Sequence, residues 1–231
     1  MRRLVLFDID GTLLRADGAG KRAIRDALAR VFGTAGNVDG YPFAGRTDPQ
    51  IVRTLLGGAG VPPERIDAGL EALWQAYVAN LEREIVDTEV RALPGVPALL
   101  DRVEAGGTET VLGLLTGNLA EGARIKLRAA GLDPRRFRVG AFGSDHAERP
   151  ELPAVAVRRA RELTGVDYAG KQIVVIGDTP HDVSCGAHLG VRTIATATGG
   201  YTLEELAACG PDYLFLDLAD TERVWRAIAD D

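Results

Sequence analysis

The sequence predicts an α/β fold, a doubly wound parallel sheet with an inserted α-helical domain. Three observations carry this expectation. Short apolar runs, several with Val or Ile at every position, recur along the chain; helix-like stretches closed by glycine alternate with them; and one long segment near the N-terminus breaks that alternation.

The runs are Leu4 to Phe7, Val111 to Leu115, Phe137 to Phe142, Ile173 to Ile176, Val191 to Ala195 and Tyr213 to Phe215. Each has strand length, and an unbroken apolar run describes a strand buried on both faces. Between them, helix-like stretches run from Leu119 to Ala130, Pro150 to Leu163, His181 to Leu189 and Leu203 to Ala208, closed by Gly131, Gly165, Gly190 and Gly210. Strand and helix in alternation build a parallel sheet wrapped by helices. From Leu14 to about Pro94 no strand pattern appears. Helical patterns fill that interval at Gly18 to Phe32, Asp48 to Leu56 and Pro63 to Val86, the last with Leu70, Leu73, Trp74, Tyr77, Val78 and Leu81 near helical spacing. The expected organisation is a core of residues 1–14 and 93–231 and a helical insertion of residues 15–92, joined by linkers near Leu14 to Asp17 and Leu93 to Gly95.

Composition narrows the class. With 46% apolar and 26% charged residues in 231, the chain has the make-up of a soluble globular protein able to bury a core. A formal charge of −6 offers no general attraction for nucleic acid or an anionic membrane, although all but three of the 27 basic residues are arginine. Cys185 and Cys209 have no metal-site spacing and read as reduced and structural. The apolar run after Arg3 is shorter than the roughly 7 to 15 residues of a signal-peptide core, and no stretch approaches the roughly 20 of a membrane span. A cytoplasmic location is expected. Neither composition nor motif bears on oligomeric state.

The chemistry gathers where strands end. In an open parallel sheet, ligands bind at the carboxyl ends of the strands. Asp8 and Asp10 follow the first run, Thr116 the second and Asp178 the run Ile173 to Ile176, with Asp182 next in "GDTPHD". Residues two apart in a strand point the same way, so Asp8 and Asp10 can address one site. Several carboxylates in one cleft repel one another unless a cation intervenes, and oxygen-only donors indicate a hard one such as Mg²⁺. A carboxylate can also attack phosphorus, while a hydroxyl and backbone N–H groups at a strand-to-helix turn, here Thr116, Gly117 and Asn118, can hold phosphate oxygens.

"DIDGT" (8–12), "LLTGN" (114–118), "ERPELP" (148–153) and "GDTPHD" (177–182), in that order, resemble the four motifs of the haloacid dehalogenase-like hydrolase superfamily, most closely its phosphoglycolate-phosphatase-like branch. The resemblance spans nearly the whole chain. It implies a Rossmann-like core, a nucleophilic Asp8, an Asp10 that protonates the leaving oxygen and then deprotonates water, and a phosphate-holding Thr116. It further implies Mg²⁺ between Asp8, the backbone carbonyl of Asp10 and Asp178, supported from behind by Asp182. The third motif departs from the family, which has Lys before Pro where this chain has Arg149-Pro150; arginine keeps the charge but is a larger, planar donor. The insertion sits where this branch carries a helical cap that closes over the site. Within it "FAGRTD" (43–48) resembles a loop facing the active site, in which Arg46 would pair a second anionic group of the substrate and Thr47 would donate a hydrogen bond.

Simpler accounts compete at several positions. Asp8 and Asp10 also suit an Asp-Gly turn, Thr116 and Thr47 suit helix caps, and Arg149 suits an exposed position before a Pro-initiated helix. His146, His181 and His188 form no catalytic or metal pattern, and Trp74 and Tyr77 read as packing. The resulting expectation is a Mg²⁺-dependent phosphomonoester hydrolase of a small phosphorylated metabolite, phosphoglycolate-like. The alternatives are a phosphosugar mutase of the same superfamily, a phospho-aspartate signalling module without catalysis, and an interaction protein that has lost activity. A phosphonate hydrolase would want a cap lysine, and Lys21 lies near the hinge; a dehalogenase would lack Asp10.

Overall fold

A computed structural model describes residues 2–107 and 110–230. Met1 and Asp231, the ends of the expected core range, lie outside the described residues. In chain order the elements are β1 (Arg3–Phe7), β2 (Leu14–Arg15), α1 (Ala19–Phe32), α2 (Asp48–Gly58), α3 (Pro63–Val86), β3 (Arg91–Ala92), α4 (Val96–Glu104), β4 (Thr110–Thr116), α5 (Ala120–Ala129), β5 (Val139–Phe142), α6 (Leu152–Thr164), β6 (Ile173–Gly177), α7 (Pro180–Cys185), β7 (Arg192–Thr196), α8 (Leu203–Ala207), β8 (Tyr213–Phe215) and α9 (Thr221–Ala229).

Six strands form one parallel sheet in the order β5-β4-β1-β6-β7-β8. Its first strand in sequence is central, and all of β1 is buried. Alternate side chains feed two separate cores. Val5 and Phe7 pack with Leu112, Leu114, Val174 and Ile176 against α4, α5 and α9. Leu4 and Leu6 pack with Val111, Leu115 and Val175 against α6 and the Cys185 end of α7. Burial on both faces is why the strand reads as an uninterrupted apolar run rather than an alternating one.

The register decides the site. Phe7 pairs with Leu114 on one side and Ile176 on the other, so Asp8, Thr116 and Asp178 leave three adjacent strands at nearly the same level. The chain departs to the two sides of β1 here, the crevice where open α/β sheets bind ligands.

Helices α1, α2 and α3 occupy the interval expected for the insertion. They share an apolar cluster of Ala19, Ala23, Ile24, Ala27 and Leu28 from α1, Ile51, Val52, Leu55 and Leu56 from α2, and Ile66, Leu73, Tyr77 and Leu81 from α3; Leu119, beside α5, joins it. Alanines along α1 allow its close approach to α3. Where no strand was expected, β2 and β3 pair antiparallel, Leu14 with Ala92 and Arg15 with Arg91, binding the two linkers together. Two-residue strands are too short to leave a periodic pattern in sequence.

Other elements differ from expectation in extent. The run from Phe137 begins as coil after a 3-10 turn, and only Val139–Phe142 pairs. The stretches starting at Pro150 and His181 divide into a 3-10 turn and an α-helix each. Helices α4 and α9 have no counterpart in the sequence expectation; each spans nine residues, and such short helices owe their stability to packing, here against one another and the sheet. Among the described residues no helix is long and apolar enough to cross a membrane.

Candidate active site

The strand ends and the insertion enclose a cleft of about 340 Å³. Asp8, Asp10, Thr116, Gly117, Asn118, Arg149, Asp178 and, from the insertion, Arg46 all line it. The sequence placed these groups on five separate segments, and the fold brings them together.

The floor is a buried charge cluster. One Arg149 nitrogen donates to Asp8 Oδ1 at 3.0 Å and to Asp182 Oδ1, and all three side chains are buried. Asp182 also accepts from the Thr179 backbone N–H and hydroxyl through Oδ2, closing a capping box at the start of α7. Asp178 Oδ1 accepts from the Thr12 hydroxyl at 2.9 Å. Backbone crowds Asp178 closely: a Cβ on Gly199 would come within 1.7 Å of its Oδ2, so only glycine fits there. Asp8, Asp178 and Asp182 each present a carboxylate oxygen, all within 4.8 Å of one another.

This density of charge is reflected in protonation. Burial pushes Asp8 up to about 7 against the pull of the Arg149 guanidinium, with Asp182 and Asp10 adding to the rise. Burial also raises Asp178 well above the usual carboxylate range, reinforced by Asp182 and Asp8. Burial opposes the Arg149 charge, but the Asp182 and Asp8 carboxylates outweigh it and keep it ionised. One guanidinium thus leaves the three acids undercompensated, and their oxygen-only donor set fits a hard divalent cation. Asp182 already has both oxygens engaged, so Asp8 and Asp178 are the carboxylates with donor capacity to spare.

Asp10 stands apart from that cluster. Its carboxylate accepts from Lys126 Nζ at 2.9 and 2.7 Å and from Asn118 Nδ2 at 2.8 Å. Asn118 Nδ2 also donates to the Thr116 hydroxyl, and Asn118 Oδ1 accepts from Lys126 at 2.7 Å. Sequence reasoning missed Lys126. The available signals were its rarity in an arginine-dominated chain and its place two turns into the helix that follows Thr116-Gly117-Asn118.

The insertion meets the core at this point. Asp48 N donates to Gly117 O at 2.8 Å, and Asp48 Oδ2 accepts from Leu119 N at 2.8 Å. A Cβ on Gly117 would lie 2.0 Å from the Arg46 carbonyl oxygen, so glycine is what lets the two loops touch. Burial pushes Asp48 up to about 6, partly offset by Lys126 and the Leu119 N–H. Arg46 has its guanidinium over the Tyr41 ring, 5.3 Å from the centroid, and among the described residues no oxygen accepts a hydrogen bond from it. Thr47 does not face the cleft. It is fully buried, accepts from Gln50 N as the cap of α2, and donates its hydroxyl to the Ala147 carbonyl. Of the two readings of Thr47, the structure displays the helix cap.

The remaining residues singled out in the sequence take structural places. Tyr77 packs in the insertion core and reaches the cleft wall, and Trp74 lies partly buried on the same cluster. His181 sits half-buried against Gly45, with burial, Arg149 and Arg46 all lowering its proton affinity. Cys185 is a buried free thiol, pushed up to about 12 by burial, and Cys209 is exposed and free.

The fold is thus a doubly wound parallel sheet with acidic residues at its strand ends and a helical insertion over them. The chain matches the haloacid dehalogenase-like hydrolase family over residues 5–187 and belongs to it. It is an enzyme of that family's phosphatase type. A pyrophosphatase, PpaX, of Bacillus velezensis is 26% identical over 222 residues, covering 94% of this chain and 93% of the relative. Among solved structures, CbbY of Rhodobacter sphaeroides in complex with xylulose 1,5-bisphosphate is similar with a TM-score of 0.73 at 21% identity, over 95% of this chain and 96% of that one. A protein of Haemophilus somnus described as a predicted phosphoglycolate phosphatase is similar with a TM-score of 0.69 at 20% identity, over 97% and 98% of the two chains.

Proposed function

We propose that this phosphatase is a Mg²⁺-dependent phosphomonoester hydrolase acting on a compact, doubly anionic metabolite, phosphoglycolate-like in size and charge, through an aspartyl-phosphate on Asp8. The observation that carries the reading is the single small cleft that holds Asp8, Asp10, Thr116, Arg149 and Asp178 on one side and the Arg46 guanidinium on the other.

In the first step an Asp8 oxygen attacks phosphorus, the bond to the ester oxygen breaks, and Asp10 gives that oxygen a proton. In the second, Asp10 takes a proton from water as the water attacks the same phosphorus, releasing inorganic phosphate and the Asp8 carboxylate. Arg149 holds Asp8 in place through its 3.0 Å hydrogen bond, and Thr116 with the backbone of Gly117 and Asn118 would receive phosphate oxygens. Asp8, Asp178 and the Asp10 carbonyl would hold Mg²⁺, which supplies neutralisation of charge on the phosphoryl group. The insertion would act as a cap, excluding bulk water from the cleft.

Three features support a substrate with two anionic groups. Arg46 keeps its hydrogen-bonding capacity unspent, the cleft is small, and the similar proteins have names or ligands describing pyrophosphate, phosphoglycolate and a sugar bisphosphate, each carrying a second charged group.

The test is phosphate release from these three compounds and from nucleoside monophosphates, with and without Mg²⁺, for the wild type and Asp8→Asn. Metal-dependent release, reduced on the order of 10⁴-fold or more by the substitution, is expected. Release untouched by Asp8→Asn, or none from any compound, overturns the reading; interconversion of sugar phosphates without release would identify a mutase.

A further inference from the structure

We infer that Lys126 is a positioning residue for proton transfer, acting through Asp10; the inference rests on the hydrolase reading above, in which Asp10 exchanges the proton. The two charges differ sharply in exposure. The Lys126 side chain is 6% exposed, whereas that of Asp10 is 44% exposed and faces the cleft. An ammonium has three donors, and the three contacts to Asp10 Oδ1, Asp10 Oδ2 and Asn118 Oδ1 match them. Lys126 touches the cleft wall, but its three donors are already spent on Asp10 and Asn118, which leaves none for substrate. It anchors from behind a carboxylate that faces the cleft.

The same contacts set the Asn118 amide. Its oxygen faces the ammonium, so its NH₂ group must turn the other way, towards Asp10 Oδ2 and the Thr116 hydroxyl. A flipped amide would press NH₂ against a cation. One buried charge thus orients both the acid/base carboxylate and the side chain that links it to the phosphate turn.

The insertion encloses this arrangement. A Cβ on Gly20 of α1 would come within 3.2 Å of Lys126 Nζ, and the Tyr77 hydroxyl lies 3.7 Å from the same position. Among the described residues Lys126 is the only cation within hydrogen-bonding distance of the Asp10 carboxylate, so removing it leaves that carboxylate held by Asn118 alone.

Lys126→Met keeps a straight side chain of similar length without the charge. The measurement is kcat/KM for an alkyl phosphoester, phosphoglycolate, and for p-nitrophenyl phosphate, whose leaving group departs without protonation. This parameter reports steps up to release of the alcohol and is blind to later hydrolysis of the aspartyl-phosphate. The alkyl value should fall about 100-fold and the aryl value less than about fivefold, the size of a lost general acid. A merely structural lysine would lower both alike.

A double-mutant cycle gives the second readout: in an Asp10→Asn background, adding Lys126→Met should change kcat/KM less than about threefold. If Lys126→Met fails to fold, Lys126→Gln is read by the same two criteria. An unchanged alkyl-to-aryl ratio, or losses that multiply in the cycle, overturns the inference while the hydrolase reading stands. A wild type that hydrolyses neither substrate removes the hydrolase reading and the inference with it.

Discussion

Asp8 and Asp10 lie two residues apart on one strand end, and their surroundings have little in common. Asp8 is buried beside Asp178 and Asp182, is held by an arginine, and is pushed up to about 7. Asp10 leans out into the cleft, tied to a lysine and an amide. In the mechanism proposed above this difference has a use: a confined oxygen would suit attack on phosphorus, and an accessible one exchange of a proton with the leaving group and then with water. Each carboxylate has its own cation, and the two cations come from different helical regions.

The comparison extends to the walls. The floor is made largely of strand ends and is fixed by sheet register, whereas the roof is the loop ahead of α2, seated through Asp48 at the start of that helix by two hydrogen bonds, one to Gly117 and one from Leu119. Damage to the floor should abolish chemistry; damage to the roof should alter affinity and fit.

The largest effect should come from the floor. Asp178→Asn removes a carboxylate from the buried cluster, so the Mg²⁺ concentration supporting half-maximal activity should rise well beyond the roughly 10- to 100-fold expected of an outer-shell partner. A Mg²⁺ titration of turnover reads this directly, and an unchanged midpoint would show that Asp178 belongs to the scaffold.

Arg46→Ala probes the roof. Loss of a charge-assisted hydrogen bond, about 1.5–3 kcal/mol, should raise KM for a doubly anionic substrate roughly 10- to 100-fold with kcat little changed. Ethyl phosphate, which has no second charge, should be insensitive. Equal effects on both would place Arg46 with the floor.

The last effect, on stability rather than on turnover, concerns the seam between the two. Burial raises Asp48 from 3.8 to about 6, so the folded chain holds this proton more tightly than the unfolded one. The sign follows: stability from this group is greatest at low pH and declines as pH rises between those two values, by up to about 3 kcal/mol. Asp48→Asn retains an acceptor for Leu119 N–H and has nothing to titrate. In denaturant melts its stability relative to wild type should therefore increase from pH 4 to about pH 6.5, and a difference independent of pH would exclude the buried carboxylate as its source.

Much of this was legible beforehand for a physical reason. A strand buried on both faces must be apolar throughout, so its end is marked by the first polar residue, and Asp8, Thr116 and Asp178 each occupy that place. The insertion was visible because three helical patterns replace strands between Leu14 and Pro94. Thr47 was ambiguous because a hydroxyl before Asp-Pro can cap a helix or face a ligand, and only packing against Ala147 separates the two. Helices α4 and α9 escaped notice because their apolar residues, such as Leu99, Val103, Val224 and Ile228, cover little more than two turns.

By itself the sequence determined the alternation of strands and helices, the acids that end the strands and the place of the insertion. These depend on side-chain periodicity and turn chemistry, which act over a few residues. Tertiary structure alone decided which cation serves which carboxylate. Lys126 meets Asp10 across 116 residues of chain and Arg149 meets Asp8 across 141. Such pairings exist only once sheet register and helix docking have brought the elements together, because the direction of a buried lysine on α5 is set by the helices packed over it and not by its neighbours in sequence.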